Sequence, residues 1–281
     1  MKRFASLLAA ASMLGGGAAL VLSSAAATAD PGASAASSLP TMNVAVTGKS
    51  SVSVSQSTVP EGAVSITSTF SGKGQGAFGL VRLDQGVTIQ QAFQAVGSHH
   101  NDPNGLTPYG TLLVSAQAPG TVQTVLTPGN YVALNLTGNN PGGGVAQFTV
   151  TKSASPAALP KAAAIESAIE FGFKGPKVLH DGTMVRAQND GFLVHMDVLI
   201  GARNKAGAKK IAALLKAGKD HQAQKLATGF GDLMDPVSPG GMQQSVLNAK
   251  PGWYVQACFM DTQDGREHTM LGMERVIRIA K

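Results

Sequence analysis

"ACFMDTQDGREHTMLGMERVIRI" (residues 257–279) carries the only cysteine of the chain, Cys258, followed by His268 and, five positions on, Met273. A thiol, an imidazole and a thioether on one loop are either three soft metal donors or three unrelated side chains. A lone cysteine in a strand is usually a small buried hydrophobe. A histidine in a charged loop is usually solvated, and Met273 reads equally well as core, as do Met260 and Met270. The choice depends on what the rest of the chain is built to be.

The opening "MKRFASLLAAASMLGGGAALVLSSAAATAD" (1–30) has a basic start at Lys2 and Arg3, an Ala-rich apolar middle and small residues before Asp30. It reads as a secretory signal peptide over 1–29, cut after Ala29. Gly15, Gly16 and Gly17 break its apolar core and argue against an uncleaved anchor. No cysteine stands at the cut, which argues against a lipid anchor. No later stretch reaches the roughly 18–20 apolar residues of a membrane span. The expectation is a soluble, secreted protein, extracellular or periplasmic. With one cysteine it cannot form an internal disulfide. An unpaired thiol in an oxidising compartment points to an intermolecular bridge, inert burial or a metal.

About 250 residues remain after the signal, enough for one large or two ordinary domains. Charged residues make up only 14% and Gly is abundant at 34, which with Ser, Thr and Val in the first half favours β-structure with many turns. The net charge of +6 falls to about +4 without Lys2 and Arg3. Aromatics are scarce and no basic stripe alternates with them, so nucleic acid is not an expected partner.

Residues 30–42 ("DPGASAASSLPTM") read as a flexible leader, and the Pro-, Ala- and Ser-rich 153–164 as a linker between two domains, 43–152 and 165–281. The two resemble each other. "PEGAVSIT" (60–67), "AFGLVRL" (77–83), helix-like "TIQQAFQAVG" (88–97), "LTPGNYVALNL" (126–136) and "GGGVAQFTV" (142–150) run in the first. "HDGTMVRA" (180–187), "FLVHMDVLI" (192–200), helical "NKAGAKKIAALLKAG" (204–218), "AKPGWYVQACF" (249–259) and "LGMERVIRI" (271–279) run in the second. Tyr131 corresponds to Tyr254 and Asn135 to Cys258, both 123 positions apart, whereas Gly144 and Met273 are 129 apart. The second copy therefore carries about six extra residues in its Cys-to-Met loop, and an internal duplication is the simplest account. "TMVRAQN", "NYVALNL" and "WYVQACF" alternate as strands do. Short strands with frequent turns predict an all-β chain of two Greek-key sandwiches. The second copy adds a helical insertion over 203–228, with Ile211, Leu214 and Leu215 facing the core and lysines mostly opposite. "KDHQAQKLATGF" (219–230) extends it as a second helix.

His195 on "FLVHMDV", Cys258 ending "GWYVQAC", and His268 and Met273 on the next loop form a thiolate–imidazole–imidazole–thioether set. The soft thiolate suits Cu(I), imidazole suits both oxidation states, and a long thioether bond tunes the potential. Here the sequence resembles the cupredoxins. The marks are "GTMVRAQNDGFLVH" around the first His, "PGWYVQAC" with Tyr254 four before Cys258, and "HTMLGMERVIRI" with Gly272-Met273 after His268. The resemblance covers 165–281 well and 43–152 in outline. It implies one mononuclear type 1 copper ion on His195, Cys258, His268 and Met273, one-electron transfer, and two cupredoxin-like sandwiches. Two departures stand out: Met196 follows the first His where Asn is frequent, and "MDTQDGRE" is unusually charged, which implies a wet site with His268 surfacing at the rim. The first copy has Gly79 or a neighbour at the first His position, Asn135 at the Cys, Asn139 at the second His and Gly144 at the Met. It therefore lacks a ligand set and reads as a packing or partner-binding domain.

The rival reading is a metal-free cupredoxin-like module that binds a partner or surface. Enzyme chemistry is not expected. A Cys258–His pair is a conceivable nucleophile, but no oxyanion-hole signature accompanies it, and "GGG" (142–144) enters a strand rather than the helix a phosphate loop requires. His99, His100, His180 and His221 read as structural, and "HHNDPNG" (99–105) as a polar turn.

Overall fold

The computed structural model describes residues 39–98, 102–139 and 144–281. The signal segment, most of the leader, the His99–His100 pair and the first two glycines of "GGG" lie outside the described residues. The first half runs β1 (Thr41–Thr47), β2 (Ser51–Val54), β3 (Thr58–Pro60), β4 (Gly62–Ser71), β5 (Gly76–Leu83), helix α1 (Ile89–Ser98), β6 (Gly110–Ala118), β7 (Gly120–Leu126), β8 (Gly129–Asn135) and β9 (Val145–Thr151). The second runs β10 (Ala164–Ile169), β11 (Gly172–Lys174), β12 (Val178–His180), β13 (Met184–Asn189), β14 (His195–Ala202), helices α2 (Lys205–Lys216) and α3 (Asp220–Gln224), β15 (Ala227–Val237), β16 (Met242–Val246), β17 (Gly252–Ala257) and β18 (Glu274–Ala280). Two expected limits move: β1 starts inside the leader, at Thr41, and β10 inside the linker, at Ala164.

The chain is mostly β, as the alternation predicts. Strand β1 shows the cause: Met42, Val44 and Val46 are buried and the residues between them exposed, the period of two of a half-buried strand. Each half closes as a sandwich. One outer sheet has the order β3-β9-β8-β5-β6 and the other β12-β18-β17-β14-β15. The remaining strands form one continuous sheet, β11-β10-β13-β16-β7-β4-β1-β2. The halves join edge to edge where Gln244 of β16 pairs with Gln123 of β7. Their side chains meet at 2.9 Å, and Thr124 Oγ1 donates to Met242 O at 2.7 Å beside them.

The duplication is visible in the registers. β1 pairs β4 in parallel as β10 pairs β13, and β3 pairs β9 in parallel as β12 pairs β18. Tyr131 donates to Thr127 O at 2.9 Å and Tyr254 to Lys250 O at 2.7 Å, the same corner bond in both copies. Pairing corrects one position. Asn135 lies opposite Phe78, and the site opposite Cys258 falls on Asp197 by the register of Val198 with Ala257. His195 therefore corresponds to Gly76, not Gly79. A side chain at Gly76 would run into the Phe70 ring, which fills that space. Asn135 is committed elsewhere, donating to Gly48 O and Ser51 O and accepting from the Thr137 N–H.

The helical insertion is not special to the second copy, because α1 occupies the same place between β5 and β6 and covers Val81, Leu83, Val132 and Leu134. Helix α2 is capped by Asn204, whose side chain accepts from Gly207 N–H at 2.8 Å. It buries Ala208, Ile211 and Leu215. Burial of each of the two larger side chains is worth about 1.5–3 kcal/mol. The second helix stops at Gln224, and 227–230 belong to β15, where Thr228 and Phe230 favour the sheet.

Candidate metal centre

Strand β14 begins at His195, and its register with β17 sets that residue beside the end of β17, where Cys258 follows. The chain then leaves the sheet. Asp261–Glu267 form a loop closed on itself: Thr262 N–H donates to Arg266 O at 2.8 Å, Gly265 N–H to Thr262 O at 2.8 Å, and Arg266 pairs with Asp264 at 2.7 Å. Of the charges of "MDTQDGRE", Asp264 and Arg266 pair on the outside, while Asp261 and Glu267 are half-buried. His268 N–H then donates to Met260 O at 2.8 Å and opens a 3-10 turn, His268–Leu271, ended by left-handed Gly272. Met273 follows; its N–H donates to His268 O and its carbonyl accepts from Cys258 N–H at 3.2 Å.

The side chains converge. Cys258 Sγ lies 3.7 Å from His195 Nδ1 and 3.4 Å from His268 Nδ1. The three ligand atoms fall within 4.8 Å of one another, and the imidazole centroids are 4.9 Å apart. His195, Cys258, His268 and Met273 are all fully buried. The expected surfacing of His268 at the rim is therefore corrected: the imidazole is fully buried, and the Phe171 ring meets it edge-on at 5.2 Å. Met196, at the position where Asn is frequent, donates its backbone N–H to Cys258 Sγ at 3.4 Å.

Burial sets the protonation states. It pushes the Cys258 thiol up to about 12, and it lowers His195 and takes His268 down to about 4, with His195 adding to the effect on His268. Both imidazoles are neutral at pH 7 and free to offer a lone pair. His268 Nε2 has no hydrogen-bond partner, an unusual condition for a buried polar atom, and His195 Nε2 makes no close hydrogen bond but has Glu170 Oε1 3.6 Å away. Ligand atoms sharing one ion at about 2.0–2.3 Å lie roughly 3.3–3.8 Å apart. The two Sγ–Nδ1 distances fit that spacing, and a soft sulfur with two imidazoles fits copper. The donor set therefore accommodates the ion.

Metal-free protein has a predictable pH response. His268 binds a proton in the unfolded chain below its ordinary value of 6.5 but in the folded chain only below about 4. Stability is full above 6.5 and falls as pH drops to about 4, by about 3 kcal/mol from this group at roughly 1.4 kcal/mol per pH unit. Urea unfolding at several pH values checks this; a flat profile between 6.5 and 4 contradicts it.

Beneath the site, Asp197 and Glu166 are buried and share the Gln256 amide, at 2.7 and 3.1 Å. Arg275 pairs with Glu166 Oε2 and donates to Gln256 Oε1. The sequence reading missed this network and also Glu170, whose Oε1 lies 3.6 Å from His195 Nε2. A charge inside the apolar strand "HMDVLI" was the available signal for Asp197.

No protein family's sequence profile matches the chain, nor does any curated relative. Solved structures do. The reduced auracyanin of the photosynthetic bacterium Roseiflexus castenholzii is 17% identical, covering 42% of this chain and 95% of its own, with a TM-score of 0.26. An azurin of Methylomonas sp. strain J is 13% identical, covering 41% and 98%, at 0.25. The copper-containing nitrite reductase of Thermus scotoductus is 12% identical, covering 86% of this chain and 68% of its own, at 0.25. In architecture the chain is two β-sandwiches in tandem, with a Cys–His–His group in the second. Among the described residues no helix is long and apolar enough to cross a membrane.

Proposed function

We propose that the second sandwich is a type 1 copper-binding domain of an exported protein, with His195, Cys258 and His268 as ligands, Met273 as a weak fourth, and one-electron transfer as its task. The observation that carries this is the convergence of three fully buried donors, Cys258 Sγ with both Nδ1 atoms. Bound copper would supply a one-electron couple between Cu(I) and Cu(II). The chain's own residues do the rest. Cys258 gives up its proton on binding, and the Met196 N–H directed at Sγ stabilises the resulting thiolate. His195 and His268 already sit neutral, so they release no proton. Phe171 and the self-closed loop exclude water, and strands β14 and β17 hold two ligands on a rigid sheet, which keeps reorganisation small.

The lysines of the insertion support a docking role beside the site. Helix α2 reaches the turn that carries His268 with its C-terminal end, where Gly218 packs near Met270; Lys209, Lys210, Lys216, Lys219 and Lys225 are exposed along it and just beyond, and Lys205 lies over the Trp253 ring at the start of β17. Such a surface steers an acidic redox protein, raising association rates by about 10–1,000-fold at low salt. The test is rapid-mixing electron exchange between the copper-loaded chain and a small acidic redox protein. The wild type exchanges one electron per chain, and charge reversal at Lys209, Lys210 and Lys216 slows it at low salt and little at high salt. Absence of exchange by the copper-loaded chain removes the electron-transfer reading, and a chain that takes up no copper favours the metal-free binding module. Exchange with equal rates for wild type and variant removes only the steering.

A further inference from the structure

Glu170 sits just past β10, before Phe171, in the turn that leads to β11. Its Oε1 accepts from the Phe192 and Leu193 backbone N–H groups, the latter at 3.2 Å, and lies 3.6 Å from His195 Nε2. The opposite ring nitrogen, Nδ1, faces Cys258 Sγ. The imidazole is therefore held between a sulfur on one side and a carboxylate on the other. The approach is made possible by Gly191: a Cβ there would stand 2.6 Å from Glu170 Oε1 and 2.8 Å from His195 Nε2. Phe171 adopts φ 55, the left-handed region that a bulky residue rarely enters. A rare conformation next to a site is held by its surroundings. Here the same turn places Glu170 toward His195 and the Phe171 ring against His268.

We infer that Glu170 is the positioning residue of His195: its carboxylate keeps the ring proton on Nε2 and so leaves the Nδ1 lone pair aimed at the metal position. The inference rests on the copper-ligand reading above. Histidine ligands commonly give their second N–H to a carboxylate, which fixes tautomer and orientation and raises ligand basicity. Two groups within the second sandwich would then act on one imidazole, with the loop 190–194 pinned by the same oxygen.

Glu170→Gln separates the roles, because Gln keeps the size and an oxygen for the two backbone N–H groups while losing the charge. Copper titration of wild type and variant, with the reduction potential of each, reads the outcome. The expected result is a Cu(II) affinity about 10–100-fold lower in the variant and a potential moved to a more positive value, since the lost charge favoured Cu(II). In metal-free wild type, nitrogen NMR of the His195 ring finds the proton on Nε2, and in Glu170→Ala it finds a mixture that includes Nδ1. Equal affinity and potential in wild type and Glu170→Gln overturn the inference and leave copper binding intact. If the wild type binds no copper, the reading above falls. The tautomer then decides the remainder: a proton on Nδ1 overturns the positioning of His195 by Glu170, and a proton on Nε2 that Glu170→Ala redistributes upholds it.

Discussion

The Cys258→Ser variant, mixed with Cu(II), stays colourless where the wild type turns blue or green. The colour arises from charge transfer between the thiolate and copper, and a hydroxyl at 258 supplies no such donor. Affinity falls by more than about 100-fold, because loss of a group merely supporting a ligand already costs about 10–100-fold. The fold survives. Serine is smaller than cysteine, and its hydroxyl can donate to either neighbouring Nδ1, so the new polar group is not stranded. Circular dichroism of the variant keeps the strand signature, which separates lost copper from lost structure. A variant that still colours would remove Cys258 from the site.

Replacing Arg275 has a larger effect on stability than any other single change considered. Its guanidinium pairs with Glu166, donates to Gln256 Oε1 at 2.8 Å and reaches Gly175 O at 3.1 Å. Glu166 is 1% exposed, and one of its oxygens, like one of Asp197, already lacks a hydrogen-bond partner. Arg275→Met leaves a carboxylate buried without its cation, a change that typically costs about 3–5 kcal/mol. Burial raises Glu166 above its ordinary value of 4.5, despite Gln256 and Arg275. A proton can therefore replace the cation as pH falls, and the loss shrinks toward acid pH. Urea unfolding of metal-free protein at neutral and acidic pH measures both. A cost below about 1 kcal/mol at neutral pH contradicts the account. The network also floors the site, since Gln256 and Asp197 stand two residues from Cys258 and His195.

The strands and the repeat were legible because half-buried strands carry their burial in alternation. "TMVRAQN" carries that alternation, whereas "NYVALNL" and "WYVQACF", which alternate in sequence, are buried without a break from Tyr131 and from Val255 onward; the shared spacing of Tyr131 with Tyr254 and Asn135 with Cys258 sets the copies side by side. His195, Cys258 and His268 were legible as chemistry, since few residue types bind soft metals and they stand in one order. What failed was information held between strands. Whether Gly76 or Gly79 matches His195 depends on the pairing of β5 with β8, which no local pattern prints. The burial of His268 was hidden because "MDTQDGRE" looks wet, whereas the bonds among Thr262, Asp264, Gly265 and Arg266 close that stretch into a loop with Asp264 and Arg266 paired outside. Glu170 was hidden in "AIEFGF", where an acid before an aromatic reads as an ordinary turn until Gly191 lets it approach His195.

The central claim is one copper ion on the second sandwich, and titration of the metal-free chain with Cu(II), followed by absorbance and by calorimetry with Cu(I), tests it most directly. The account predicts a thiolate-to-copper band that saturates at one ion per chain, and binding of both oxidation states that Cys258→Ser abolishes. A chain that stays colourless and takes up neither ion contradicts it.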